Sequence, residues 1–198
     1  MIAGISVAVV LVLLGIYVAN VYNRLVALFN RAQNAFAQID VQLKRRYDLI
    51  PNLIEVAKKY MQHEKDTLLG VTNARNAARS ALEYAAQNAD MKNIAKLNSA
   101  ESGLMNALKG LNVQIEAYPE LKANENMIQL NEELAATENK IAFARQSYND
   151  SAMNFNVFKQ TFPCNIITGM FAKYRDDMGL LEFSESREVL EKAPKVEF

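Results

Sequence analysis

The chain opens on nineteen residues, Met1 to Ala19, that carry no charged side chain and a single aliphatic hydroxyl, Ser6. As a helix this run rises roughly 28 Å, close to the hydrocarbon thickness of a bilayer. A buried core helix would keep a polar face, and this segment has none. A signal peptide would place basic residues before the apolar run and small residues before a cleavage point. Here no Lys or Arg precedes it, and Tyr17-Val18-Ala19 puts a bulky ring at the wrong place. The pattern therefore predicts an uncleaved anchor over residues 1–20. Arg24 and Arg31 follow the span and nothing basic but the terminal amine precedes it, so the positive-inside rule expects the N-terminus outside and the rest in the cytoplasm. Gly4, Ala8, Gly15 and Ala19 fall on one arc of the span. Such residues are common in any membrane helix, but they also allow close approach of two spans, a hint of a homo-oligomer.

Beyond the anchor, only 7 Gly and 4 Pro punctuate 198 residues, which favours long helices. Tyr22, Phe29, Phe36 and Leu43 recur every seven residues, with Leu25, Ala32 and Ile39 interleaved, a heptad seam continuous with the anchor. The seam is expected to stop at Lys44-Arg45-Arg46-Tyr47-Asp48, where Asp48 would cap a second helix with Pro51 in its first turn. That helix would run from about Leu49 to Asn88, with Ile54, Met61, Leu68 and Leu82 in one seam column. A third follows Asp90, with Leu97, Leu104, Leu111 and Tyr118 in register. A fourth carries Leu134, Ile141, Tyr148, Phe155 and Phe162, its companion column being small in the middle: Thr137, Ala144, Ser151. Four seams with short connections predict an all-α fold, an N-terminal transmembrane helix continuous with a long antiparallel four-helix, coiled-coil-like bundle over 21–162. Arg75 and Glu101 interrupt two seams level with each other and are expected to pair. One conflict follows: helices two and four look longer than the soluble part of helix one.

An even number of helices returns the chain to the membrane, so residues 163–198 read as a membrane-proximal lid and mixed tail. Ile166, Ile167, Met170 and Phe171 are the candidate contacts with membrane lipid, with Lys173, Tyr174 and Arg175 at headgroup level; a lid over the bundle's open end is the competing reading. Phe183, Val196 and Phe198 are candidate tethers. The basic-aromatic run Lys44, Arg45, Arg46, Tyr47, beside Tyr118-Pro119, is the candidate surface for a protein partner, unless it only complements a helix end.

Equal numbers of basic and acidic residues, 22 each, argue against a nucleic-acid partner. No catalytic or metal-ligating set emerges. His63-Glu64 opens like a zinc motif but lacks the second His, Thr67 standing there. Glu64, Glu101, Glu132, Glu133 and Glu138 lack the histidines of a di-metal bundle. Cys164 has no local His signature, and Asn149-Asp150-Ser151 is a glycosylation sequon inside a helix. No cofactor and no enzymatic activity are expected.

Two stretches, Tyr22–Ala78 and Tyr118–Pro163, contain the strings QIDVQLKRRYDLIPNL and TENKIAFARQSYND. With the anchor and the closing Pro194-Lys-Val-Glu-Phe198, the chain resembles the LemA family of bacterial membrane proteins. The resemblance implies one N-terminal span and a helical bundle at the bacterial inner membrane, and brings no catalytic residues. Some relatives are linked to formation of internal membranes, others to membrane proteases. Cys164 stands where that pattern would have glycine. Two roles are weighed above an enzyme: a self-associating scaffold that organises or shapes the membrane, and an adaptor presenting its bundle to a partner such as a membrane protease.

Overall fold

A computed structural model describes residues 2–183, with side chains from residue 4; Val196, Phe198 and the closing Pro194–Phe198 lie outside the described residues. Four long helices dominate: α1 (Ile2–Lys58), α2 (Lys65–Gln87), α3 (Met91–Ile115) and α5 (Glu125–Gln160). Short α4 (Pro119–Lys122) and α6 (Cys164–Thr168) and a 3-10 turn (Ala172–Tyr174) complete them. The fold is all-α, an apolar N-terminal helix continuous with an antiparallel bundle.

The heptad columns form the core. Leu25, Ala32, Ile39 and Leu43 are fully buried, as are Leu82, Leu97, Leu104, Tyr148 and Phe155. The small column of α5 has the expected use: Thr137, Ala144 and Ser151 are buried where α1 lies along α5. Aromatic edges fill the space beside it, Phe36 meeting Tyr148 at 5.3 Å and Phe29 meeting Phe155 at 5.6 Å between ring centroids. The starts of α3 and α5 follow their caps. Asp90 accepts a hydrogen bond from the Asn93 N–H (2.7 Å) and Asn124 from the Met127 N–H (3.2 Å).

The expected break at 44–48 is not there. α1 runs straight through it, and Asp48 caps nothing. Pro51 lies inside the helix, where its missing N–H should strand the carbonyl of Tyr47. That carbonyl instead accepts a hydrogen bond from Nε of Arg75 on α2 at 2.9 Å. A side chain from another helix thus replaces the lost backbone bond, and the helix continues for seven residues beyond the proline. The turn comes at 59–64 instead. The length conflict disappears with it, because the soluble arm of α1 from Asn20 is about 58 Å long and α5 about 54 Å.

The shorter α2–α3 hairpin stops well before the membrane end, and residues 178–183 run in extended form beside the first turns of α3, between α3 and α5. Three asparagines hold this strap, each using its amide as a peptide would. Asn156 donates to the Met178 carbonyl and accepts from its N–H, both at 2.9 Å. Asn149 does the same for Leu181, at 3.0 and 2.9 Å. Asn98 donates to the Leu180 carbonyl and accepts from the Glu182 N–H, both at 3.0 Å. Tyr148 adds a bond to the Gly179 carbonyl (2.8 Å), and burial raises its phenol well above the usual range, so it remains a donor. Gly179 is required by space. A Cβ there would lie 2.7 Å from Cβ of Ile94. Phe183, a proposed tether, is buried under the Arg145 guanidinium, 5.5 Å from its ring.

Candidate functional site

The residues singled out by sequence fall at three levels of one rod. At the membrane end, the span projects free of the bundle, and Ile5 to Tyr17 are exposed. Gly4, Ala8, Gly15 and Ala19 are uncovered, with nothing within 4 Å of a Cβ built on Gly4 or Gly15. Among the described residues this is the one helix long and apolar enough to cross a membrane.

Just above, α6 folds back onto α1. Cys164 and Ile167 pack on Val21 and Val18, and the Tyr17 hydroxyl lies 4.0 Å from the Cys164 sulfur. Phe171 packs against Tyr22, the rings tilted by 49° with centroids 4.8 Å apart. The four candidate lipid contacts are therefore divided. Ile166 and Met170 are exposed, whereas Ile167 and Phe171 turn inward to close the bundle's end. The reason is helical geometry: Cys164 and Ile167 share a face, and Ile166 lies off it. Phe162, read as a seam residue, is 75 % exposed instead. Lys159 fastens this end, buried, bonding Asp177 at 2.7 Å and the Arg175 carbonyl at 2.6 Å.

Midway along the bundle lies the basic run. Lys44 and Arg45 are exposed, pairing with Asp40 (2.7 Å) and approaching Glu133 (3.9 Å). Arg46 and Tyr47 are buried, which corrects their assignment to a partner surface: α1 does not end here, so two of the four side chains must point into the bundle. Arg46 pairs with Glu101 of α3 and with Glu138 of α5, the latter at 2.7 Å. Tyr47 donates to Glu101. Burial raises the Tyr47 phenol far above its ordinary value, and the Arg46 charge only partly opposes that, so it stays a donor. The expected Arg75–Glu101 pair does not form. Both residues belong to the same layer, but Tyr47 stands between them, its carbonyl taken by Arg75 and its hydroxyl by Glu101.

These carboxylates are thus used as counter-charges. Among the described residues no three His, Cys, Asp or Glu side chains converge as a metal site. The arrangement offers acceptors already filled by arginine and tyrosine.

At the far end, the α1–α2 turn encloses a shallow cleft of about 890 Å³ lined by Ile54, Lys58, Met61, His63, Lys65 and Leu69. The sequence placed this tip about fifteen residues too early, and the signal that could have moved it was the apolar column continuing through Ile50, Ile54 and Ala57.

The LemA family model matches residues 35–198. The chain is 27 % identical over 160 residues to Protein LemA of Metamycoplasma hominis, covering 81 % of this chain and 68 % of that one. It is 23 % identical over 167 residues to Magnetosome protein MamQ of Magnetospirillum gryphiswaldense, covering 75 % of this chain and 61 % of that protein. A match across the bundle, with both strings QIDVQLKRRYDLIPNL and TENKIAFARQSYND inside it, settles the affiliation: the chain belongs to the LemA family.

Proposed function

We propose that this chain acts without catalysis, as a membrane-anchored scaffold that self-associates and organises or shapes a bacterial inner membrane, with its bundle in the cytoplasm. The observation that carries this reading is the unbroken passage of α1 from apolar span to bundle. Because one helix serves both, contact between spans would fix the mutual orientation of whole bundles. The uncovered small-residue face of Gly4, Ala8, Gly15 and Ala19 offers such a contact. A relative named as a magnetosome protein is in keeping with an organising role. The test is the mass and shape of the full-length protein in mild detergent, by light scattering and particle imaging. We expect a uniform closed oligomer that dissociates when Gly4, Ala8, Gly15 and Ala19 are changed to Leu. A wild-type monomer would sink the scaffold.

The cleft at the far turn supports a second reading, an adaptor whose tip receives an acidic or apolar segment of a partner such as a membrane protease. Lys58, His63 and Lys65 give its rim a basic character. Crosslinking in membranes should then yield an adduct that Lys58→Glu with Lys65→Glu abolishes, while Lys44→Glu with Arg45→Glu leaves it intact. Equal loss in both variants would argue against the tip.

A further inference from the structure

We infer that the turn from Phe162 to Met170 is a second, interfacial contact with the bilayer, seated beside the end of the span. This rests on the membrane-anchored reading above. Three apolar side chains within nine residues stand out of the bundle: Phe162 is 75 % exposed, Ile166 62 % and Met170 76 %. The depth of α6 is set by contacts rather than by sequence alone. Cys164 and Ile167 rest on Val18 and Val21, and the Cys164 sulfur lies 4.0 Å from the hydroxyl of Tyr17, which belongs to the apolar run itself. With the span in a membrane, α6 has to lie where Tyr17 to Val21 leave the hydrocarbon, and its outward side chains meet the acyl–headgroup boundary. Such a short segment lies on a membrane rather than through it.

The surrounding charge fits the same occupant. Lys173 and Arg175 are exposed on the segment that follows, and Arg24 is exposed on α1. Lys173 is held over the Phe29 ring at 5.2 Å, and Arg175 reaches the Gly169 carbonyl at 3.4 Å. Three exposed cations near these apolar side chains, against one exposed carboxylate on the same segment, Asp176, match an anionic lipid surface. The inward half of the same turn closes the bundle through Ile167, Phe171 and Tyr174, so the contact would be held by packing and not by a free loop.

The experiment uses the full chain in bilayer discs of phosphatidylcholine with phosphatidylglycerol. Spin labels are attached to Val10→Cys, Ile166→Cys, Met170→Cys and Phe143→Cys, each with Cys164→Ala, and helicity is checked for every variant. Collision with oxygen and with a water-soluble nickel complex reports the depth of each label. The result expected is several-fold lower nickel accessibility at 166 and 170 than at 143, which is 77 % exposed on α5, with depths between those of 10 and 143. Labels at 166 and 170 as open to nickel as that at 143, with 10 still buried in lipid, would overturn the interfacial contact and leave the anchor standing. Nickel reaching 10 as well would overturn both.

Discussion

Changing Arg46 to Met should destabilise the bundle by about 3–5 kcal/mol, the usual loss when one member of a buried ion pair is removed. Arg46 is 3 % exposed and Glu101 2 %, so the carboxylate left behind keeps only the Tyr47 hydroxyl and cannot reach water. Glu138, more exposed, can return to solvent at little cost. The effect is read as a shift in the midpoint of denaturant unfolding, followed by circular dichroism on the full chain in mild detergent. A companion variant separates mechanisms. Arg46→Met, Glu101→Leu and Tyr47→Phe together remove the stranded charge and its donor, and most of the lost stability should return. Were Arg46→Met alone within about 1 kcal/mol of wild type, the layer would not be a closed charge network.

The second large effect belongs to the strap. Replacing Asn149 and Asn156 by Ala removes four hydrogen bonds and leaves the Met178 and Leu181 backbone groups unpaired at buried positions. Each site should cost the strap about 1–3 kcal/mol, and because both hold one segment the second loss adds little once the strap has detached. Amide hydrogen exchange gives the direct readout. Protection at 178–182 should collapse while α1 and the middle of α5 keep theirs. Asn→Asp at the same positions retains the acceptor but loses the donor, so an intermediate loss is expected. Uniform loss across the whole bundle would mean that the strap is not a separable unit.

The helical seams were readable because burial enforces period seven whatever the partner. Even Glu101, an intruder in its column, sits in the layer its register gave it. The misreading at Asp48 and Pro51 has a specific cause. Locally that pair is indistinguishable from the start of a helix, and what permits the proline is Arg75, twenty-four residues later on another helix. The strap was hidden for the same reason, since an asparagine acquires its role only from the backbone it meets, here 22 to 84 residues distant. Of the turn around α6, the apolar composition was legible but not which side chains face in, because that depends on where α6 lands on α1.

The unbroken α1 also makes this molecule a lever. A domain hung from its anchor by a loose linker is indifferent to how the anchor leans. Here the arm from Asn20 to the far turn is about 58 Å of helix stiffened by α5 alongside, with no joint at its base. A change of about 20° in the lean of the span, within the range that bilayer thickness imposes, would carry the tip sideways by roughly 20 Å. With the span in a bilayer, a local change in thickness would thereby become a displacement of that size at the tip.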